Sequence, residues 1–169
     1  MNSFDTADVV AACKEYAPLM RLLPGEDLDP VRAMLAVAAV ESGGGDPAFA
    51  GHNCGPRFEP AYYLGGSIWK GSTLVQGLVK TWDRAAASSY GPWQCMFDNC
   101  LGHTPTEMET NLDICAQVFV TQFNTYVEGI RHAKTLDEVG EVWNLGHVGP
   151  DPQYTTKLER AYGLTLQVL

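Results

Sequence analysis

Residues 31–40 read Val-Arg-Ala-Met-Leu-Ala-Val-Ala-Ala-Val, and they constrain the fold more than any other stretch. Asp29-Pro30 just before them is a helix start, an acid at the N-cap followed by proline at the first helical position. Ser42-Gly43-Gly44-Gly45 is a stop. Only Arg32 carries charge before Glu41. A helix apolar on nearly every side must be enclosed by other elements. In 169 residues those elements form one domain, spanning 1–169.

The remaining pattern is mostly helical. Val9, Val10, Cys13, Ala17 and Met20 predict a helix over 6–21, broken by Pro24-Gly25. Leu74, Val75, Leu78, Val79 and Trp82 predict another over 72–87. A capping box, Thr104 to Glu107, opens a long helix to about Arg131, with Met108, Leu112, Cys115, Phe119, Phe123, Val127 and Ile130 at spacings of three and four. Thr135 and Glu138 form a second box before Leu-Asp-Glu-Val-Gly-Glu-Val-Trp-Asn. Asp151-Pro152 starts a last helix bearing Tyr154, Leu158 and Tyr162 before Gly163. Residues 43–71 hold eight glycines and predict a long ordered loop, the kind that usually carries function. Ser88-Ser89-Tyr90-Gly91-Pro92-Trp93-Gln94-Cys95-Met96-Phe97 predicts a small β hairpin. The fold class expected is mainly α.

Charge narrows the partners. Eleven Lys and Arg face twenty Asp and Glu, a formal net charge of −9. Such a surface repels phosphate backbones and anionic membranes, so neither nucleic acid nor a membrane surface is expected as a partner. No apolar run approaches the roughly 20 residues of a membrane span. Met1 to Val10 lack a basic and apolar leader, so no signal peptide is expected. A monomer with no cofactor is expected. The five cysteines, Cys13, Cys54, Cys95, Cys100 and Cys115, are an odd number and suit free thiols in a reducing compartment. Two other arrangements stay open: a Cys95–Cys100 disulfide, or a zinc site drawn from Cys95, Cys100, His103, His52 and Cys54. His132 and His147 read as surface or loop histidines.

Glu41 is the residue with the most chemical content. Its backbone ends an apolar helix, where the negative pole of the helix dipole and apolar walls both favour the neutral acid. A carboxylic acid still protonated near neutral pH is what glycosidic cleavage needs, because the leaving oxygen must gain a proton as its bond breaks. The competing reading is a glutamate that reaches past the helix end into water. The glycines at 43–45 leave no side chain to cover the acid. Glu59, in the glycine-rich loop, could share a cleft with it, positioning water or raising its pKa. It could equally be an exposed loop acid or a cap for backbone N–H groups. Asp46 and Asp98 are weaker candidates for that place.

Ala39-Val40-Glu41-Ser42-Gly43-Gly44-Gly45 after a buried helix resembles the catalytic segment of lysozyme-like muramidases and lytic transglycosylases. Arg57-Phe58-Glu59-Pro60-Ala61-Tyr62-Tyr63 resembles the Phe-Glu segment of the bacterial and phage N-acetylmuramidase family, which is related to goose-type lysozyme. Arg84 to Met96 is similar to that family's Ser-Trp-Gly-x-x-Gln-Ile-Met stretch. Trp143-Asn144-Leu145-Gly146, with Tyr154, Lys157-Leu158 and Ala161-Tyr162, resembles its Tyr-Asn-Gly segment and closing helix. The four segments follow the family's order across most of residues 33–162. Trp143 stands where the pattern has tyrosine, Phe97 replaces a glycine, and Pro60-Ala61 replace polar residues.

The resemblance implies a lysozyme-like domain with a cleft between helical lobes. The partner it implies is the glycan strand of bacterial peptidoglycan. The reaction is cleavage of the β-1,4 bond between N-acetylmuramic acid and N-acetylglucosamine. Glu41 would be the acid and Glu59 the second catalytic group. Ser89, Tyr90, Gly91, Trp93, Gln94, Trp143, Asn144 and Tyr154 would bind substrate, although Gln94 could instead satisfy the backbone of its own hairpin and Asn144 could hold its loop. Of the aromatic residues Tyr62, Tyr63, Trp69, Tyr90, Trp93 and Trp143, two or three would face the sugar. A phage endolysin held in the host cytoplasm before lysis and a wall enzyme exported by a non-standard route both fit this reading. A lytic transglycosylase, a non-catalytic glycan-binding module and a zinc-dependent wall hydrolase are the alternatives.

Overall fold

The computed structural model describes residues 3–22, 28–100, 102–128, 133–145 and 149–169. The expected helix breaker Pro24-Gly25, the end of the long helix at Ile130 and Arg131, Gly146, and both His132 and His147 lie outside the described residues.

The apolar helix sits at the centre as α2, Pro30–Ser42. Asp29 caps it by accepting from the Val31 and Arg32 N–H groups, and Pro30 occupies the first turn, where no N–H is needed. Every residue from Ala33 to Ala39 is fully buried. The walls around it come from α1 (Thr6–Tyr16), α7 (Leu136–Leu145) and α8 (Pro152–Leu164). Its end is fixed sterically: a Cβ on Gly43 would stand 2.6 Å from the Asp46 carbonyl oxygen. Ser42 then ties helix to loop, its hydroxyl donating to the Ala38 carbonyl and accepting from the Gly51 N–H.

The predicted mainly α class holds, with local corrections. α1 stops at Tyr16 and continues as a 3-10 turn, Ala17–Leu19, because Pro18 cannot donate the next helical bond. The helix expected over 72–87 is α4, Thr73–Trp82, which ends where Asp83 takes φ +51°; a 3-10 segment, Asp83–Ala87, follows. Its Leu74 and Trp82 are exposed rather than core. The long helix from Thr104 is two helices, α5 (Pro105–Thr110) and α6 (Leu112–Glu128). Asn111 between them is extended, and its side chain accepts the Ile114 N–H, the behaviour of an N-cap. α8 runs through Gly163 to Leu164. Within the glycine-rich loop lie the turns Pro47–Phe49 and Pro60–Tyr62 and the short α3, Ser67–Gly71.

The expected hairpin is present but has a third strand. Arg57–Phe58 (β1), Ser88–Tyr90 (β2) and Cys95–Met96 (β3) form an antiparallel sheet in the order β1-β2-β3. The turn 91–94 is anchored in the core. Trp93 is fully buried, donates its indole N–H to the Met34 carbonyl at 3.0 Å, and stacks on Phe119. Phe119 in turn packs on Phe123 and Trp143. All five cysteines are buried thiols, so the Cys95–Cys100 disulfide is not formed. Among the described residues no three His, Cys, Asp or Glu side chains group so as to hold a metal ion, which leaves the zinc arrangement without a site. No described helix is long and apolar enough to cross a membrane.

Gly91 joins sheet to core at a point where nothing else fits. Its φ is +74°, and an added Cβ would stand 2.7 Å from Cys115 Sγ. Gly91→Ala is expected to lower stability by about 2–4 kcal/mol, combining left-handed strain with overpacking, as read from denaturant unfolding.

Candidate active site

Glu41 is the next-to-last residue of α2, and its side chain is 11% exposed. One carboxylate oxygen accepts a hydrogen bond from the Tyr154 hydroxyl at 2.8 Å. The other lies 3.5 Å from Arg57 Nη2. Burial raises the Glu41 pKa above the usual carboxylate range, and it outweighs the opposite pulls of the Tyr154 hydroxyl, the Arg57 guanidinium and the Trp143 indole. Burial first, and the Glu41 charge second, push the Tyr154 phenol well up, so it stays a proton donor to the carboxylate.

The sheet register supplies the facing wall. Arg57 pairs with Ser89, and Ser89 with Met96, so the three stand in one row across the strands. Their neighbours Tyr90 and Cys95 fall on the opposite, buried face. Glu59, two residues after Arg57, returns to the first face and takes Arg57 Nε at 3.0 Å. One guanidinium therefore touches both carboxylates. Ser89 Oγ lies 3.5 Å from the same Glu59 oxygen. The far wall is helical, with Gln122 and Tyr126 of α6 and Trp143 and Asn144 of α7. The resulting groove, about 220 Å³, includes Tyr62 at its side. It runs between the sheet and the helices, where the sequence led us to expect two helical lobes.

The site residues named from the sequence divide into two groups. Glu41, Glu59, Ser89, Gln94, Trp143 and Asn144 line the groove, and Tyr154 reaches it through its hydroxyl. Three others do not serve as substrate contacts. Tyr90 is fully buried, with its hydroxyl donating to the Ala85 carbonyl. Trp93 belongs to the core, and Gly91 is a structural turn residue whose N–H is held by the Cys54 carbonyl.

Two groove residues take the structural role that the sequence had left open beside sugar binding. The Gln94 amide donates to the Gly91 carbonyl and accepts from Ser89 Oγ at 2.9 Å, which satisfies the hairpin rather than a sugar. Asn144 donates to Asp151, fastening α7 to the cap of α8. Asp46 caps the turn after it through the Ala48 N–H. Asp98 lies outside the groove lining, half-buried, with its pKa raised by burial. Of the six aromatic residues proposed for sugar contact, Tyr62 and Trp143 line the groove.

Arg57, Gln122 and Tyr126 were not named as site residues from the sequence. Gln122 and Tyr126 had a faint signal: they fall three and seven residues after Phe119, polar groups on an apolar stripe. Gln122 donates to the Tyr126 hydroxyl at 2.6 Å, and its buried carbonyl oxygen has no partner among the described residues. Arg57 had none beyond its place beside Phe58-Glu59.

No protein family, curated protein or solved structure matches the chain.

A carboxyl with a raised pKa binds its proton more tightly in the folded protein than in the unfolded chain. Stability should therefore fall as pH rises from the ordinary carboxylate range through the raised value, and the cost should persist above it. Glu41→Gln keeps the shape and removes the charge. It is expected to melt above wild type at about pH 8 and close to it at about pH 4, in paired thermal scans.

Proposed function

We propose that this chain is a lysozyme-like peptidoglycan muramidase, cleaving the β-1,4 bond between N-acetylmuramic acid and N-acetylglucosamine. The observation that carries the reading is Glu41, seated at the end of a helix fully buried over Ala33–Ala39, open to a groove, and biased by burial toward its protonated form. Glu41 gives its proton to the bridging oxygen as the glycosidic bond breaks. The carboxylate left behind keeps the Tyr154 hydroxyl and the Arg57 guanidinium as neighbours, both suited to a negative charge. Glu59 shares that guanidinium and lines the same groove as Glu41, as a pair of carboxyl groups acting on one glycosidic bond must. In this scheme Glu59 directs the attacking water. The resemblance of the four sequence segments supports the same reading.

The Arg57–Glu59 ion pair favours one second reading. A glutamate engaged by Arg57 can be a wall of the site, with the muramic 6-hydroxyl attacking in place of water. That is a lytic transglycosylase, which needs Glu41 alone. Mass spectrometry of digested sacculi separates the two. Reducing ends together with large losses in Glu59→Gln mark the hydrolase, and 1,6-anhydro ends with a mild Glu59→Gln effect mark the transglycosylase.

Glu41→Gln is expected to lower wall lysis by about 10²–10⁴-fold, the usual worth of a positioned acid. Unchanged lysis would end the proposal. Because the acid must be protonated, activity should decline as pH rises through the Glu41 pKa. Arg57 favours the charged form, so Arg57→Ala should move that decline to higher pH. The wall is anionic and the protein carries −9, so moderate salt should speed lysis by screening their repulsion; turbidity assays across ionic strength check this.

A further inference from the structure

Buried polar side chains find hydrogen-bond partners almost without exception, because an acceptor taken out of water loses the bonds that water gave it. Among the described residues one buried side-chain oxygen breaks that rule, the carbonyl of Gln122. Gln122 is only 8% exposed, yet it lines the groove that holds Glu41. The other end of its amide is occupied. The N–H donates to the Tyr126 hydroxyl at 2.6 Å, one turn further along α6. That bond holds the amide in place and leaves the carbonyl as an oriented acceptor with no donor. The two amides that the sequence offered for sugar binding are engaged elsewhere, Gln94 in its own turn and Asn144 on Asp151.

The groove around this acceptor has apolar surface. Met96 of β3 and Trp143 of α7 line it, and both strands of that wall's support, β3 and α7, pack against α6. A donor that brings an apolar group beside it suits such a lining better than a bare hydroxyl does. A trans secondary amide has that shape, because its planar geometry sets the N–H and the acyl carbon's substituent on one edge and the carbonyl on the other. In an acetamido group that edge presents N–H and methyl together.

We propose that Gln122 accepts the N–H of a sugar's 2-acetamido group and makes the groove selective for N-acetylated glycan. This deepens the proposed muramidase function and rests on it for the groove being where sugar binds. Tyr126 is a positioning residue, acting through its hold on the Gln122 amide. A glycan with a hydroxyl at that carbon brings no methyl to Met96 and Trp143, and its donor lies closer to the ring. A site built to hydrogen-bond one group discriminates against the analogue that lacks it.

The test uses the Glu41→Gln protein, which holds ligand without turning it over, alone and combined with Gln122→Met or Tyr126→Phe. Methionine is flexible and similar in length to glutamine, so Gln122→Met removes the unpaired acceptor and should melt at or above the parent. Tyr126→Phe removes one hydroxyl from a half-buried ring. Calorimetry is run with chitotetraose and with cellotetraose, which share the β-1,4 chain and differ at carbon 2. The parent should bind chitotetraose the more tightly. Gln122→Met should weaken chitotetraose about tenfold, Tyr126→Phe should weaken it less, and neither should change cellotetraose. Unchanged chitotetraose affinity in Gln122→Met overturns the inference. Equal losses for both sugars mark a structural role and overturn it too, as does a parent that binds the two alike or binds neither. Should Gln122→Met fail to fold, Tyr126→Phe decides by the same comparison. Wall lysis by the wild type is read separately. Acetamido selectivity without lysis removes the muramidase proposal and keeps Gln122 as a glycan contact, and lysis without selectivity does the reverse.

Discussion

A carboxylate carried by the most deeply buried helix is the constraint on which the rest depends. α2 has no solvent side over Ala33–Ala39, so its direction and its end are set by packing on every flank. That rigidity is delivered to Glu41. A short glutamate on a mobile loop would choose water, whereas here the backbone ends inside the structure and the side chain must find its partners there. The glycine after it closes the argument, since any Cβ at 43 would collide with the Asp46 carbonyl. Helix, stop and acid form a single mechanical unit.

Around that unit two opposing influences meet, and burial is the stronger. Desolvation pushes Glu41 toward the neutral form; Tyr154, Arg57 and Trp143 pull it back. Arg57 is the adjustable part, because it is half exposed and shared with Glu59. Its long side chain belongs to the sheet and the acid belongs to the helices, so their contact couples the two walls of the groove. Any shift of β1 against α2 would change the charge felt by both carboxylates. The core turn at 91–94, held by Trp93 on Met34, limits such a shift.

The sequence was most legible where a signal is local. The caps at Asp29, Thr104, Thr135 and Asp151, the buried character of α2 and the β hairpin could all be read from short windows, because each depends on neighbours within a few residues. It was least legible where a long pattern hid a local break. Asn111 interrupts an apolar stripe without disturbing its spacing, so α5 and α6 read as one helix. The aromatic residues beside Gly91 failed for another reason. Tyr90 and Trp93 have the composition of a sugar-binding loop, and only the sheet register and the contact with α2 turn them inward.

By itself the sequence determined that an apolar helix would be enclosed, that Glu41 would end it uncovered by side chains, and that acidic surface would prevail elsewhere. These follow from hydrophobic burial and backbone preference, which act along the chain. Tertiary structure alone decided that Arg57 would stand between Glu41 and Glu59, that the Tyr154 hydroxyl would reach back across 113 residues to the acid, and that Gln94 would serve its own turn. Those choices depend on distances between segments remote in sequence. No periodicity records them, because the same residues in another register would meet different partners.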